Sequence, residues 1–236
     1  MSLLITPVKT QIYKHGQPLA PFIANSIPGD LIREKMIIAV TSKIVSLSEG
    51  RTLPLDSISK ADLVKQEAEE FLGETAFGVL LTRKEGMLIA SAGIDESNSI
   101  DGNYILYPKD PYLSAKLLWT ELKGIWNLKE LGVLLTDSRT NLLRQGVTGI
   151  ALSHWGFCGL KDMIGQEDLF GRKLRMTKIN LGDSLAAAAV LTMGEGSEAQ
   201  PLAIIHGAEA EFREESHPLE LRMPPEEDLY WPFFRK

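Results

Sequence analysis

The chain has 236 residues, 44% of them apolar and 24% charged, and its 25 Lys and Arg stand against 31 Asp and Glu for a formal charge of −6. That length and balance are those of an ordinary folded protein with a sizeable core. The acidic surplus argues against unspecific nucleic-acid binding, which needs extra Lys and Arg to neutralise phosphate.

Cys158 is the single cysteine, so an internal disulfide is excluded and a reducing compartment is the simpler setting. The opening MSLLITPVK has too short an apolar stretch for a signal peptide, and Pro7 interrupts it. The richest apolar run, Leu185 to Met193, falls far short of the roughly 20 residues a spanning helix needs. The expectation is a cytoplasmic protein without membrane or nucleic-acid partners.

In chain order, Met36 to Val40 predicts a buried strand, and Ala61 to Leu72 an amphipathic helix carrying Leu63, Ala68 and Leu72. Gly78 to Leu81 and Met87 to Ala90 predict a hairpin turning at Gly86. Ser91 to Asp110 is rich in Gly, Asn, Ser and Asp and reads as loop around a short extended piece, YILYP. Pro111 to Leu128 predicts a helix with Leu113, Leu117, Leu118, Leu122 and Ile125 toward the core. Leu131 to Thr136 reads as a buried strand ending abruptly at Asp137, with further strands at Gly146 to Trp155, Lys173 to Ile179 and Pro201 to Ile205. Asp183 to Met193 predicts a helix capped by Asp183 or Ser184 and stopped by Gly194-Glu195-Gly196. The charged, Pro-rich last 25 residues close on Tyr230, Trp231, Phe233 and Phe234, a pattern typical of a packing plug or a subunit contact. The class is mixed α/β, taken as a single domain over 1–236 with two lobes as the alternative division.

Several sites are missing. The chain has no GxxxxGK[ST] phosphate loop and no GxGxxG after a predicted strand, and His15, His154, His206 and His217 lack zinc spacing. Cys158 has no activating neighbour in sequence and reads as an inert thiol.

Three carboxylates remain at punctuated positions: Asp95 after a strand in AGIDESN, Asp137 at the end of LGVLLT, and Glu195 between two glycines. Hard divalent cations take such oxygens, and Mg²⁺ typically takes one or two carboxylates together with substrate phosphates. Each also has a plain structural role: Asp137 as a turn former, Asp95 as loop, Glu195 as a solvated charge beside a helix-ending glycine. Among the scattered cations Lys43, Arg51, Arg139, Arg144, Lys161 and Arg172, Arg139 and Arg144 bracket the segment after Asp137 and are the best candidates for gripping phosphate or carboxylate.

Taken together, the segments resemble the F420-0:γ-glutamyl ligase family from about Thr6 to Gly207. The words that carry the likeness are SKIVSLSEGR, SAGIDESN, LYPKDPYLSA, GVLLTDS, RQGVTGIAL, DLFGRKL and DSLAAAAVLTMGEG, followed by PLAIIHG. The resemblance implies an α/β ligase fold forming an intertwined homodimer, with GTP or ATP as triphosphate, two Mg²⁺ or Mn²⁺ ions, and K⁺. Asp95 and Asp137 fall at its metal-ligand positions, Ser138 at the hydroxyl of a second metal, and Glu195 at a third acidic position. Ser42, Asn98 and the loop containing Met193, Gly194, Gly196, Ser197 and Gln200 fall at nucleotide-contacting positions, and Arg139 and Arg144 are the candidates for catalytic contact with substrate. The implied reaction joins L-glutamate to a small carboxylate acceptor through an acyl phosphate.

Two departures stand out. Leu47 occupies the place of a nucleotide-contacting lysine, which Lys43 would partly replace from the same side of an extended segment. Thr140, Asn141 and Arg144 stand where the family usually has a Gly-Arg pair and a further Arg, with Arg139 displaced nearby. A folate-like acceptor and a nucleotide-binding module without catalysis remain the alternatives.

Overall fold

The computed structural model describes residues 2–99 and 102–233. The chain begins with β1 (Leu4–Val8), α1 (Leu19–Ser26), β2 (Met36–Thr41), α2 (Ser42–Ser48), β3 (Thr52–Pro54) and α3 (Lys60–Glu67). It continues with β4 (Glu70–Glu74), β5 (Leu80–Lys84), β6 (Met87–Ala90), β7 (Asn103–Ile105) and α4 (Pro111–Trp126). The remainder comprises β8 (Leu131–Thr140), β9 (Val147–Trp155), β10 (Leu160–Asp162), β11 (Lys178–Asn180), α5 (Leu181–Met193) and β12 (Leu202–His206). Among these residues no helix is long and apolar enough to cross a membrane.

The unbroken apolar runs have a simple cause. β1-β12-β2-β8-β9 form one five-stranded sheet in which β2 and β8 are parallel and every other neighbour is antiparallel. Both faces of its centre are covered, so successive residues must all be apolar. Met36, Ile38 and Val40 join Val133, Leu135 and Ile204 against α1, α2 and α4, while Ile37, Ala39, Leu134 and Ile205 face α5. Gly149 lets α5 approach closely: a Cβ there would lie 2.4 Å from the Ala186 carbonyl oxygen. A third apolar cluster holds α3 to the loop carrying Asp95 through Leu63, Val64, Ala92, Ile94 and Leu106.

Several predicted boundaries are corrected. The helix expected to reach Leu72 stops at Glu67; Glu70–Glu74 leaves it to pair with β5, a ladder that a sparse helical stripe does not oppose. β8 does not end at Asp137 but runs on to Thr140, because β9 continues to pair with it as far as Val147. Of the expected Lys173–Ile179 strand only the last two residues are in a regular strand, β11 (Lys178–Asn180). Asn180, not Asp183 or Ser184, caps α5, its side chain accepting from the Asp183 N–H at 2.9 Å. Asp183 instead accepts from the Ala151 N–H at 3.0 Å and ties helix to sheet. On α4, Leu118 and Leu122 are buried as expected, but Leu113, Leu117 and Ile125 are about half exposed. Apolar residues spread over more than one face of the helix, and its fit against the sheet selects Tyr112, Ala115, Leu118 and Leu122. Tyr230 and Phe233 lie on the surface rather than in a plug, and Phe234 lies outside the described residues.

Candidate active site

The parallel strands β2 and β8 end side by side, Thr41 opposite Thr136. Beyond parallel strand ends is where open α/β sheets form clefts, since the chain must leave the sheet there through loops. Here α2 departs directly from Thr41, β8 carries Asp137 and Ser138 past the end of β2, and β12 enters from the same edge, with Pro201 accepting the Thr41 N–H at 3.0 Å. The loop from α5 to β12 closes one side, and the segment after β1 closes another through a 2.9 Å hydrogen bond from the Thr10 N–H to the Ala199 carbonyl. The result is a cavity of about 810 Å³, within the usual size range of small-ligand sites.

Asp95, Asp137, Ser138 and Glu195 all line this cavity, although they are distant in sequence. Asp95 reaches it because its backbone bridges to Ile105. Its Oδ1 accepts from the N–H groups of Glu96 and Ser97 at 2.6 and 2.7 Å, and its Oδ2 pairs with Lys43 Nζ at 2.7 Å. Burial pushes the Asp95 pKa up, but the Lys43 bond and the Ser97 amide outweigh it and hold the group below its ordinary value.

Asp137 behaves differently. It sits deep in the molecule with its carboxyl still facing the cavity, and its pKa is pushed up to about 6. Burial is the main cause; the charge of Asp95 adds to it, and Tyr107, the Ser138 amide and Lys43 oppose it. The Glu195 pKa is raised as well, chiefly by burial and with help from Asp95 and Glu198, while the Ser138 hydroxyl and Lys43 oppose. These are crowded, partly desolvated oxygens facing one space, an arrangement that a cation would relieve. They do not gather round one point: among the described residues no group of three acidic, His or Cys side chains could hold a single ion. A hard cation here would therefore take one or two carboxylates each, with ligand oxygens completing its shell, as Mg²⁺ prefers.

Lys43, Asn98, Met193, Gly194, Gly196, Ser197 and Gln200 also line the cavity, as does Leu47. The Ser42–Ser48 segment is a helix, not the extended piece expected, but positions 43 and 47 still share a side because they are one helical turn apart. Leu47 packs on the main core from there. Ser42 is buried and does not reach the cavity wall. Arg139 and Arg144 are not brought to it either: Arg139 lies partly exposed on β8, where its charge acts on Tyr107, and Arg144 is exposed in the β8–β9 turn. Cys158 is half-buried, and burial raises its thiol pKa, so it is a weak nucleophile as expected.

The sequence reading missed the segment Thr10 to His15, which forms a wall of the cavity; within the expected Met193 to Gln200 loop, Glu198 accepts the Gly196 N–H at 2.8 Å and braces it. The sequence reading also missed Tyr107 beside Asp137. Nothing in the N-terminal segment marks it as functional; Tyr107 sits in the LYPKDP word but carries no local signature.

A family model described as F420-0:Gamma-glutamyl ligase matches residues 7–207. Among similar proteins is a Coenzyme F420:L-glutamate ligase of Methanopyrus kandleri, 32% identical over 97% of this chain and 98% of the relative. Proteins of the same name from Archaeoglobus fulgidus, 31% identical over 88% of each chain, and Methanocaldococcus jannaschii, 32% identical over 93% of each, match it as well. With a match over most of its length and relatives aligned nearly end to end, the chain belongs to the F420-0:gamma-glutamyl ligase family.

Proposed function

We propose that the chain is an amide-forming ligase that uses a nucleoside triphosphate, GTP before ATP, to join the amine of L-glutamate to a carboxylate of an F420-type acceptor. The observation that carries this reading is the convergence of Asp95, Asp137, Ser138, Glu195 and Lys43 on one cavity beyond the ends of β2 and β8. The printed names of the relatives supply glutamate and coenzyme F420.

A carboxylate is a poor electrophile and must be activated. Its oxygen attacks the terminal phosphorus of the triphosphate, the bond to the bridging oxygen breaks, and the diphosphate leaves with that electron pair. The free amine of glutamate then attacks the acyl carbon; inorganic phosphate departs and the nitrogen releases a proton. Asp95, Asp137, Ser138 and Glu195 would hold Mg²⁺ or Mn²⁺, which when bound supplies charge neutralisation at the phosphate oxygens; K⁺ is a further expected ion. Lys43 contributes a fixed positive charge beside Asp95, and Asn98 and the Gly194–Gln200 loop enclose the nucleotide. Positioning and charge stabilisation supply the catalysis, and no histidine base is required.

The same reading includes a cytoplasmic homodimer. Supporting it, the arm between β10 and β11 exposes Leu169 at 98%, Phe170 at 81% and Met176 at 88%, and α4 turns Leu113, Leu117 and Ile125 outward. Large apolar side chains so displayed favour a protein partner. Light scattering would report a mass of two chains; a monomer would remove this part.

The test of the activity is direct. Purified protein is incubated with Mg²⁺ or Mn²⁺, GTP or ATP, labelled glutamate and deazaflavin or folate acceptors, and products are weighed by mass spectrometry. Gain of a glutamyl group on the deazaflavin acceptor is expected. No gain with any combination would overturn the ligase reading, and gain on folate alone would overturn the acceptor.

A further inference from the structure

Tyr107 stands between the two acid-bearing segments. It is 3% exposed. Its ring lies directly on Gly93, two residues before Asp95, where an added Cβ would fall 2.2 Å from the ring's Cζ. Gly93 has φ +72°, so its place in the turn and its bare surface under the ring both require glycine. The Tyr107 backbone is fixed from behind, its carbonyl accepting from Arg51 Nε at 3.0 Å while Arg51 pairs with Glu67 at 2.8 Å. The hydroxyl approaches the Asp137 carboxylate but forms no completed hydrogen bond with any group among the described residues.

A buried hydroxyl without a partner costs about 1–3 kcal/mol. The charged groups acting on it are Asp137, Glu85 and Arg139. Arg139 can only donate, and Glu85 is engaged by Arg222. Asp137 is the acceptor that remains.

We infer that Tyr107 is a positioning residue: its hydroxyl donates to one oxygen of Asp137 and so presents the other to a cation bound in the cavity. The ring, seated on Gly93, keeps this arrangement in step with the turn that carries Asp95. The inference rests on the proposal above that Asp137 is a metal ligand. Hydrogen-bonded outer partners of ligating carboxylates typically govern metal affinity by about 10–100-fold.

The test uses Tyr107→Phe, which keeps the ring on Gly93, with Asp137→Asn as reference. Mn²⁺ is titrated into protein saturated with a non-hydrolysable triphosphate analogue, with the analogue alone as blank, and the free ion is read by electron paramagnetic resonance. Tyr107→Phe is expected to fold with the wild-type circular dichroism spectrum, since the ring that packs on Gly93 is retained. It should bind Mn²⁺ about tenfold more weakly, and the Mn²⁺ needed for half-maximal phosphate release should rise by the same factor, with the rate recovering at saturating Mn²⁺. Wild-type affinity in Tyr107→Phe alongside lost affinity in Asp137→Asn would overturn the inference and leave the proposed site standing. A wild type that binds no Mn²⁺, or an Asp137→Asn variant that binds it normally, would overturn both. Failure of Tyr107→Phe to fold would also overturn it, because the hydroxyl would then be structural.

Discussion

Glu220 and Asp137 are both acids set beside a buried tyrosine, and the chain treats them in opposite ways. Glu220, on the C-terminal segment, is fully engaged: Oε2 accepts from the Gly159 N–H at 2.7 Å and bonds His154 Nε2 at 2.8 Å, while Oε1 accepts from Arg213 at 2.9 Å. Burial pushes its pKa up, yet these donors hold it below the ordinary value. His154 is completely buried and its pKa is lowered, first by burial, so the neutral ring carries its proton on Nε2 and leaves Nδ1 toward Tyr112 at 3.4 Å. Among the described residues Asp137 has no cation bonded to it and Tyr107 beside it is left without a bond, and the Asp137 pKa is raised to about 6. A saturated polar cluster is a clasp that closes the fold, whereas an unsaturated one at a cavity wall keeps bonding capacity for a ligand.

The sharpest way to break this contrast is to neutralise each acid. Asp137→Asn is expected to reduce metal-dependent phosphate release more than about 100-fold with an unchanged circular dichroism spectrum; retained turnover would remove Asp137 from the site. Glu220→Gln should do the reverse. It leaves Arg213 and His154 without their anion, lowering unfolding free energy by about 2–3 kcal/mol in urea titrations, while the folded protein keeps its turnover. Equal loss of activity in both variants would dissolve the distinction.

A smaller effect concerns stability against pH in metal-free protein. The folded-state pKa of Asp137, about 6, lies above its ordinary 3.8, so between those values the folded protein holds a proton that the unfolded chain has released. The penalty for the buried charge is complete above pH 6 and absent below about 3.8. Asp137→Asn should therefore be more stable than the wild type at neutral pH, on the order of 3 kcal/mol, and the two should converge as pH falls through that window. A difference that stays constant with pH would contradict the assigned burial. Smallest of all, Leu47→Lys, one turn from Lys43 on the cavity wall, should lower KM for the triphosphate a few-fold with little change in kcat, because it adds distant charge and no new chemistry.

Much of the site was legible because its groups announce themselves locally. An acid after a strand, an acid between glycines and a lysine near a buried run can each be picked out by type and position, and Asp95, Asp137, Glu195 and Lys43 do share one cavity. Sequence distance from Asp137 points to Arg139 and Arg144 but fails in an extended ladder: past Ser138 each further residue of β8 leads away from the cavity. Tyr107 and Thr10 to His15 could not be found this way. Their roles arise from contact with Gly93, Asp137 and Ala199, remote in sequence, and an aromatic or threonine in a loop has no spacing rule.

Alone, the sequence determined strands β2, β8, β9 and β12 of the central sheet, helices α4 and α5 on its two faces and the chemical type of the ligand-bearing groups, because hydrophobic period and residue chemistry are local properties. Tertiary structure decided which stripe of α4 is inside, where α3 gives way to β4, and how far β8 extends beyond Asp137, since each depends on a partner strand or face. It also decided that Glu220 would be saturated and Asp137 left with bonding capacity. Burial and the count of available donors set that difference, and both exist only once distant segments have met.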